Sequence, residues 1–102
     1  MAVRIIIDRK VKKGKESDFA KLLRELRLKA VPSKGYISGE TLRALDDPHN
    51  YIVITTWKSI DDWKKWEKSP EIKVKKDYKF HGIKVLQKKI IVLLNMQIYL
   101  KL

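Results

Sequence analysis

An α+β domain with the order strand–helix–strand–strand–helix–strand is what this sequence predicts, and three observations carry the expectation. Short runs rich in β-branched residues, bounded by turn residues, stand at 3–11, 36–45 and 51–57. Two further stretches space their apolar residues as one face of a helix. From Ile90 to the end, apolar and polar residues alternate with a period of two.

The first strand, 3–11, stops at Lys12-Lys13-Gly14. Between 15 and about 30, Phe19, Leu22, Leu23 and Leu26 fall at i, i+3, i+4, i+7 and form one helical stripe. Val31-Pro32 ends it, because a residue before proline avoids helical angles. In the second strand, 36–45, Gly39 marks a bulge or a close approach of another group. Asp46-Asp47-Pro48-His49-Asn50 is a dense turn signal, so the strand at 51–57 is expected to return beside it as a hairpin.

Ser59 is a good N-cap for a helix carrying Ile60, Trp63 and Trp66. Ser69-Pro70-Glu71 restarts that helix, which is expected to run to about Tyr78 or Phe80. The alternation Ile90, Val92, Leu94, Met96, Ile98, Leu100, Leu102 predicts a long last strand with one fully buried face. One small domain has little use for so long a strand, whereas two copies lending it to each other's sheet would bury it. A C-terminal helix is the competing reading, disfavoured by the β-branched residues. The βαββαβ order is that of the ferredoxin-like split βαβ arrangement, with both helices on one face of an antiparallel sheet.

With 102 residues there is room for one domain. The absence of cysteine excludes disulfides, thiolate metal sites and cysteine nucleophiles. The N-terminus MAVRIIIDRK has neither the apolar core nor the cleavage site of a signal peptide, and the longest apolar run, 90–94, is too short to span a bilayer. A cytoplasmic protein is expected. The net charge of +12, from 24 Lys and Arg against 12 Asp and Glu, attracts anions of every kind without choosing among them. It fits a nucleic-acid surface or, given abundant Lys and scarce Asn and Gln, a thermophile-like surface.

Four phrases narrow the field. Val11-Lys12-Lys13-Gly14-Lys15-Glu16 with Phe19 and Leu22-Leu23-Arg24, Pro32-Ser33-Lys34-Gly35-Tyr36 with Gly39-Glu40, Leu45-Asp46-Asp47-Pro48-His49 before Tyr51-Ile52-Val53-Ile54, and Trp57-Lys58-Ser59-Ile60-Asp61-Asp62-Trp63-Lys64-Lys65-Trp66 with Ser69-Pro70-Glu71 follow one another in order. Together they resemble the antibiotic biosynthesis monooxygenase (ABM) family over roughly residues 3–80. The resemblance implies a homodimer of the dimeric α/β barrel kind, with a pocket in each subunit between sheet and helices. It also implies an activity among cofactor-independent monooxygenases of aromatics and quinols, haem degraders, or members without known activity. Matched to the haem degraders' Asn, Trp and iron-ligating His, this chain has Asp8, Trp66 and Lys76. A protonated lysine is a poor iron ligand, which tells against haem.

Asp8, flanked by Ile6 and Ile7, is the expected general base, since a carboxylate that resists ionising can deprotonate a phenol or quinol. Its plainer reading is an ion pair with Arg9 or a lysine. Trp63 and Trp66, three apart, share one helix face and either cover the sheet or line a flat ligand. Tyr36, Tyr51 and Tyr78 could supply a phenol, and more often such tyrosines pack. His49 reads as a solvated turn residue and His81 as a helix cap, so no metal is expected. The resulting expectation is oxygen-dependent oxidation of a small aromatic or quinol without metal, flavin or other cofactor. Asp8 takes the proton, Trp63, Trp66 and Tyr36 shape the pocket, and Lys76 steadies negative charge. A non-catalytic ligand-binding or dimerisation domain and a haem-binding relative remain open. So does an RNA-binding module, although strand one lacks the aromatic that would stack a base.

Overall fold

The computed structural model describes residues 1–70, 72 and 82–94. Four strands, β1 (Val3–Val11), β2 (Tyr36–Arg43), β3 (Asn50–Trp57) and β4 (Ile83–Val92), form one sheet in the order β2-β3-β1-β4. Every neighbouring pair is antiparallel. Helices α1 (Glu16–Ala30) and α2 (Ile60–Lys68) complete the ferredoxin-like order that the sequence predicts. No helix among the described residues is long and apolar enough to cross a membrane.

β1 is central, and its pleat sorts the molecule. Val3, Ile5, Ile7, Arg9 and Val11 face the helices, while Arg4, Ile6, Asp8 and Lys10 face the open side. The register carries this split outwards: Ile5 pairs with Thr55 and Ile90 on the covered face, and Ile6 with Ile54 and Lys89 on the open one. One core cluster gathers Val11, Phe19, Leu22, Leu26, Ile72 and Ile83, and the other gathers Val3, Ile5, Ala30, Trp57 and Trp63. Trp66 packs against both. The apolar stripe of α1 thus lies where its spacing predicts it.

The cap at α2 also forms as predicted, with Ser59 Oγ accepting from the Asp62 backbone N–H at 3.2 Å. Ser69 takes an extended conformation that ends α2, and Pro70 and Ile72 are helical again. The expected continuation to Tyr78 or Phe80 lies outside the described residues.

β4 corrects one expectation. It begins at Ile83, well before Ile90; Ile90 and Val92 are 46% and 51% exposed in the single chain, where the expected burial calls for a second copy. β4 is an edge strand, and its lysines (Lys84, Lys88, Lys89) are the residues that edges tolerate and that hid it. A bulge, which skips Leu86 in the pairing with β1, breaks the alternation as well. The alternating residues from Met96 to Leu102 lie outside the described residues.

Gly35 fixes the entry to β2. Its φ is +86°, and a Cβ there would fall on the Asp62 side chain, with Asp62 Cβ 2.6 Å away. Strain and overlap act together. Gly35→Ala is expected to lower the unfolding free energy by about 2–4 kcal/mol in urea titration, and a loss below about 0.5 kcal/mol would contradict this packing.

Candidate functional site

A cavity of about 70 Å³ lies between the covered face of the sheet and the two helices. The sheet contributes Ile5 and Ile7 from β1, Tyr36 and Gly39 from β2, and Val53 and Thr55 from β3. Leu23, Leu26 and Ala30 of α1 and Trp63 and Trp66 of α2 close it. These walls follow from the same periodicities that build the core: residues on a covered sheet face and a helical stripe line whatever space they fail to fill.

The aromatic wall is held on several sides. Trp57, fully buried beneath it, donates from Nε1 to Thr55 Oγ1 at 3.1 Å. The Tyr36 ring stands edge-on to Trp57 at 5.3 Å and the Trp66 ring tilts against it at 5.5 Å, both within the range of favourable aromatic pairs. Lys88 Nζ lies 4.5 Å from the Trp63 ring centroid and pairs with Glu67 at 3.2 Å. Thr55 accepts from Trp57 and retains its own hydroxyl proton for donation.

Gly39 is the close-approach point that the sequence suggests. A Cβ there would stand 2.5 Å from the Tyr36 hydroxyl oxygen, so the tyrosine can lie flat along the sheet only over a glycine. The irregularity in the strand falls just before it, where Ile37 is skipped in the pairing with β3.

Two charged side chains reach this cavity, Arg9 and Arg27; Glu40 borders it but, as the register partner of Ile54, directs its side chain to the open face. Arg9 is 4% exposed, and burial pushes its guanidinium down to about 10, so at neutral pH it still carries its charge. Because burial lowers the guanidinium from its ordinary value, the folded state loses this proton before the unfolded chain does as pH rises. The desolvation cost is therefore fully present below about pH 10 and eases above it, on the order of 3 kcal/mol before the contacts of the guanidinium are counted.

The predicted site residues divide accordingly. Trp63, Trp66 and Tyr36 come together at the cavity. Asp8 does not: it leaves β1 on the opposite face, beside the cross-strand partners Ile52 and Gln87, where its Oδ1 is buried without a hydrogen-bond partner. The physical reason is the two-residue period, which directs Ile7 and Arg9 inward and Asp8 outward. Its other suggested role, an ion pair with Arg9, fails for the same reason. Arg9 itself was legible in the sequence, since it shares the parity of Val3, Ile5, Ile7 and Val11. Lys76, Tyr78 and His81 lie outside the described residues. His49 is half-buried rather than solvated, with Nδ1 3.2 Å from Glu16. Among the described residues, no three His, Asp or Glu side chains cluster to hold a metal.

The family model for antibiotic biosynthesis monooxygenase matches residues 2–76. Curated proteins yield no match. Among solved structures, the cofactor-independent oxygenase SnoaB from Streptomyces nogalater is similar, with a TM-score of 0.82 at 14% identity, covering 93% of this chain and 95% of that one. Rv0793 from Mycobacterium tuberculosis gives 0.79 at 12% identity, covering 94% and 98%. A conserved protein from Methanosarcina mazei Go1 gives 0.75 at 19% identity, covering 88% of each chain. At these identities the three share the fold.

The Tyr36–Gly39 contact yields a prediction. Gly39→Ala is expected to cost about 1–3 kcal/mol in chemical denaturation, and most of that cost should vanish on a Tyr36→Phe background. Equal costs on both backgrounds would contradict it.

Proposed function

The chain belongs to the antibiotic biosynthesis monooxygenase family, and from that premise we propose that it carries out the oxygen-dependent oxidation of a small electron-rich aromatic or quinol in the Trp-walled cavity, without metal or flavin. The observation that carries this reading is the cavity itself: apolar, walled by Trp63 and Trp66, with Arg9 and Arg27 along it. An aromatic ring gains by lying against indoles, and a positive lining favours the deprotonated form of a phenol or quinol. That anion is the electron donor. The balance closes without an external reductant in two cases: a ring methylene and O₂ give a carbonyl and water, one oxygen atom entering the ring system, and a quinol and O₂ give the quinone and hydrogen peroxide. The acidic proton passes to solvent, because Asp8 leaves the other face of β1.

Two rival readings lose ground on particular observations. No histidine among the described residues lines the cavity, which tells against a haem iron ligand there. The open sheet face, where an RNA-binding module of this fold stacks bases, carries Leu42, Ile52, Ile54, Ile6 and Ile91, and all aromatics of the described strands point to the helices.

The apolar patch of Ile6, Leu42, Ile52, Ile54 and Ile91 at the middle of that otherwise charged face supports a homodimer in which two sheets cover each other. Ile54→Lys is expected to weaken dimerisation by at least about tenfold in light-scattering dilution series. A wild-type protein that stays monomeric at high micromolar concentration would contradict the pairing.

The activity is tested with a panel of single-ring quinols and an oxygen electrode. Uptake above a boiled control is expected, with kcat/KM reduced about tenfold or more in Trp66→Ala and within about twofold of wild type in Asp8→Asn. Uptake indifferent to Trp66→Ala, or abolished by Asp8→Asn in a folded protein, would place the chemistry elsewhere.

A further inference from the structure

We propose that two copies of this chain pair through the open faces of their sheets about a two-fold axis crossing β1 at Ile6, so that Arg4 of each copy meets Asp8 of the other. This rests on the homodimer reading above, and it adds the register of the pair and the charges that fix it.

The open face is self-complementary along its central strand. Arg4, Ile6 and Asp8 follow one another at the two-residue period, so a cation and an anion stand on either side of an isoleucine. Within one chain they do not meet, because four residues of strand hold them roughly 13 Å apart. Among the described residues neither makes an ion pair. Arg4 has Thr56 and Ile91 as its cross-strand partners, and Asp8 has Ile52 and Gln87. Arg4 Nε and Asp8 Oδ1 are both buried without a hydrogen-bond partner. An unpaired buried polar atom is costly, and a guanidinium that meets a carboxylate satisfies both at once.

Symmetry supplies the match. In a two-fold interface the contact of residue i with residue j is accompanied by that of j with i. Consider an axis between the two sheets, running across the strands along the row Glu40, Ile54, Ile6 and Lys89. It sets the two β1 strands antiparallel, one above the other. Ile6 then meets Ile6, Ile54 meets Ile54, and the Arg4–Asp8 pair forms twice. An axis along the strands would instead set Glu40 over Lys89 and Ile6 over Ile54. Burial decides between the two. Glu40 and Lys89 stand exposed on the outer strands, where water screens them, whereas Arg4 and Asp8 stand on an inner strand with an unpaired atom each out of solvent.

The test is charge reversal followed by mixing. Wild type is expected to dimerise in a light-scattering dilution series, and Arg4→Asp or Asp8→Arg should each raise the dissociation constant at least about tenfold. Mixing the two variants should recover heterodimers in native mass spectrometry, since one copy then presents two anions and the other two cations. The double variant Arg4→Asp/Asp8→Arg should recover the homodimer, and Glu40→Lys should change the constant less than about fivefold. Near-UV circular dichroism reports the fold of each variant. Should a reversal fail to fold, Ile6→Cys decides with the native charges in place: the chain has no cysteine of its own, and a short bismaleimide should link two Ile6→Cys chains. Linkage only in a mixture with Ile54→Cys overturns the axis. Reversals that leave the dimer unchanged overturn the charge pairing while the homodimer stands. A wild-type chain that stays monomeric at high micromolar concentration removes both.

Discussion

Everything in this chain is organised by the pleat of β1. As the strand second from one edge, hydrogen-bonded on both sides, it propagates its choice of faces through register to β3 and β4. A shift by one residue would put Arg4, Ile6, Asp8 and Lys10 under the helices in place of Val3, Ile5, Ile7, Arg9 and Val11, emptying the core and burying three charged residues instead of one. The apolar majority on the covered face fixes the phase, and Arg9 is carried inward as its consequence. The tension between a well-specified core and one buried guanidinium is what gives the cavity its chemical character.

Around that strand the aromatic residues form a connected wall. Trp57 anchors it through Thr55, Tyr36 and Trp66 lean on Trp57, and Trp66 joins the two core clusters. Such a wall holds its shape because each ring is restrained by another rather than by water. The glycines serve the same end: Gly39 gives the Tyr36 hydroxyl its place, and Gly35 lets α2 approach the start of β2.

Much of this was legible in the sequence. The period of Phe19, Leu22, Leu23 and Leu26 located α1, the Ser59 cap located α2, and the turn at 46–50 located the hairpin. Trp63 and Trp66 were recognisable as a pair on one helix face, and the cavity lies beside them. What failed did so for local physical reasons. Asp8 has a buried Oδ1, but beside Ile6 on the open face of the sheet; of its flanking isoleucines only Ile7 points into the cavity. β4 was placed too late because an edge strand interrupted by a bulge and three lysines does not display a clean alternation. The depth of the cavity had no sequence signal, since volume left between side chains is a property of packing and not of pattern.

The most direct measurement is fluorine NMR of protein labelled with fluorotryptophan, titrated with a single-ring aromatic ligand. The chain has three tryptophans, and only Trp63 and Trp66 line the cavity while Trp57 is sealed beneath them. Ligand binding on the covered face of the sheet predicts large shifts of the Trp63 and Trp66 resonances and a small one for Trp57. Saturable binding that leaves Trp63 and Trp66 unmoved would place the ligand outside this cavity and contradict the account.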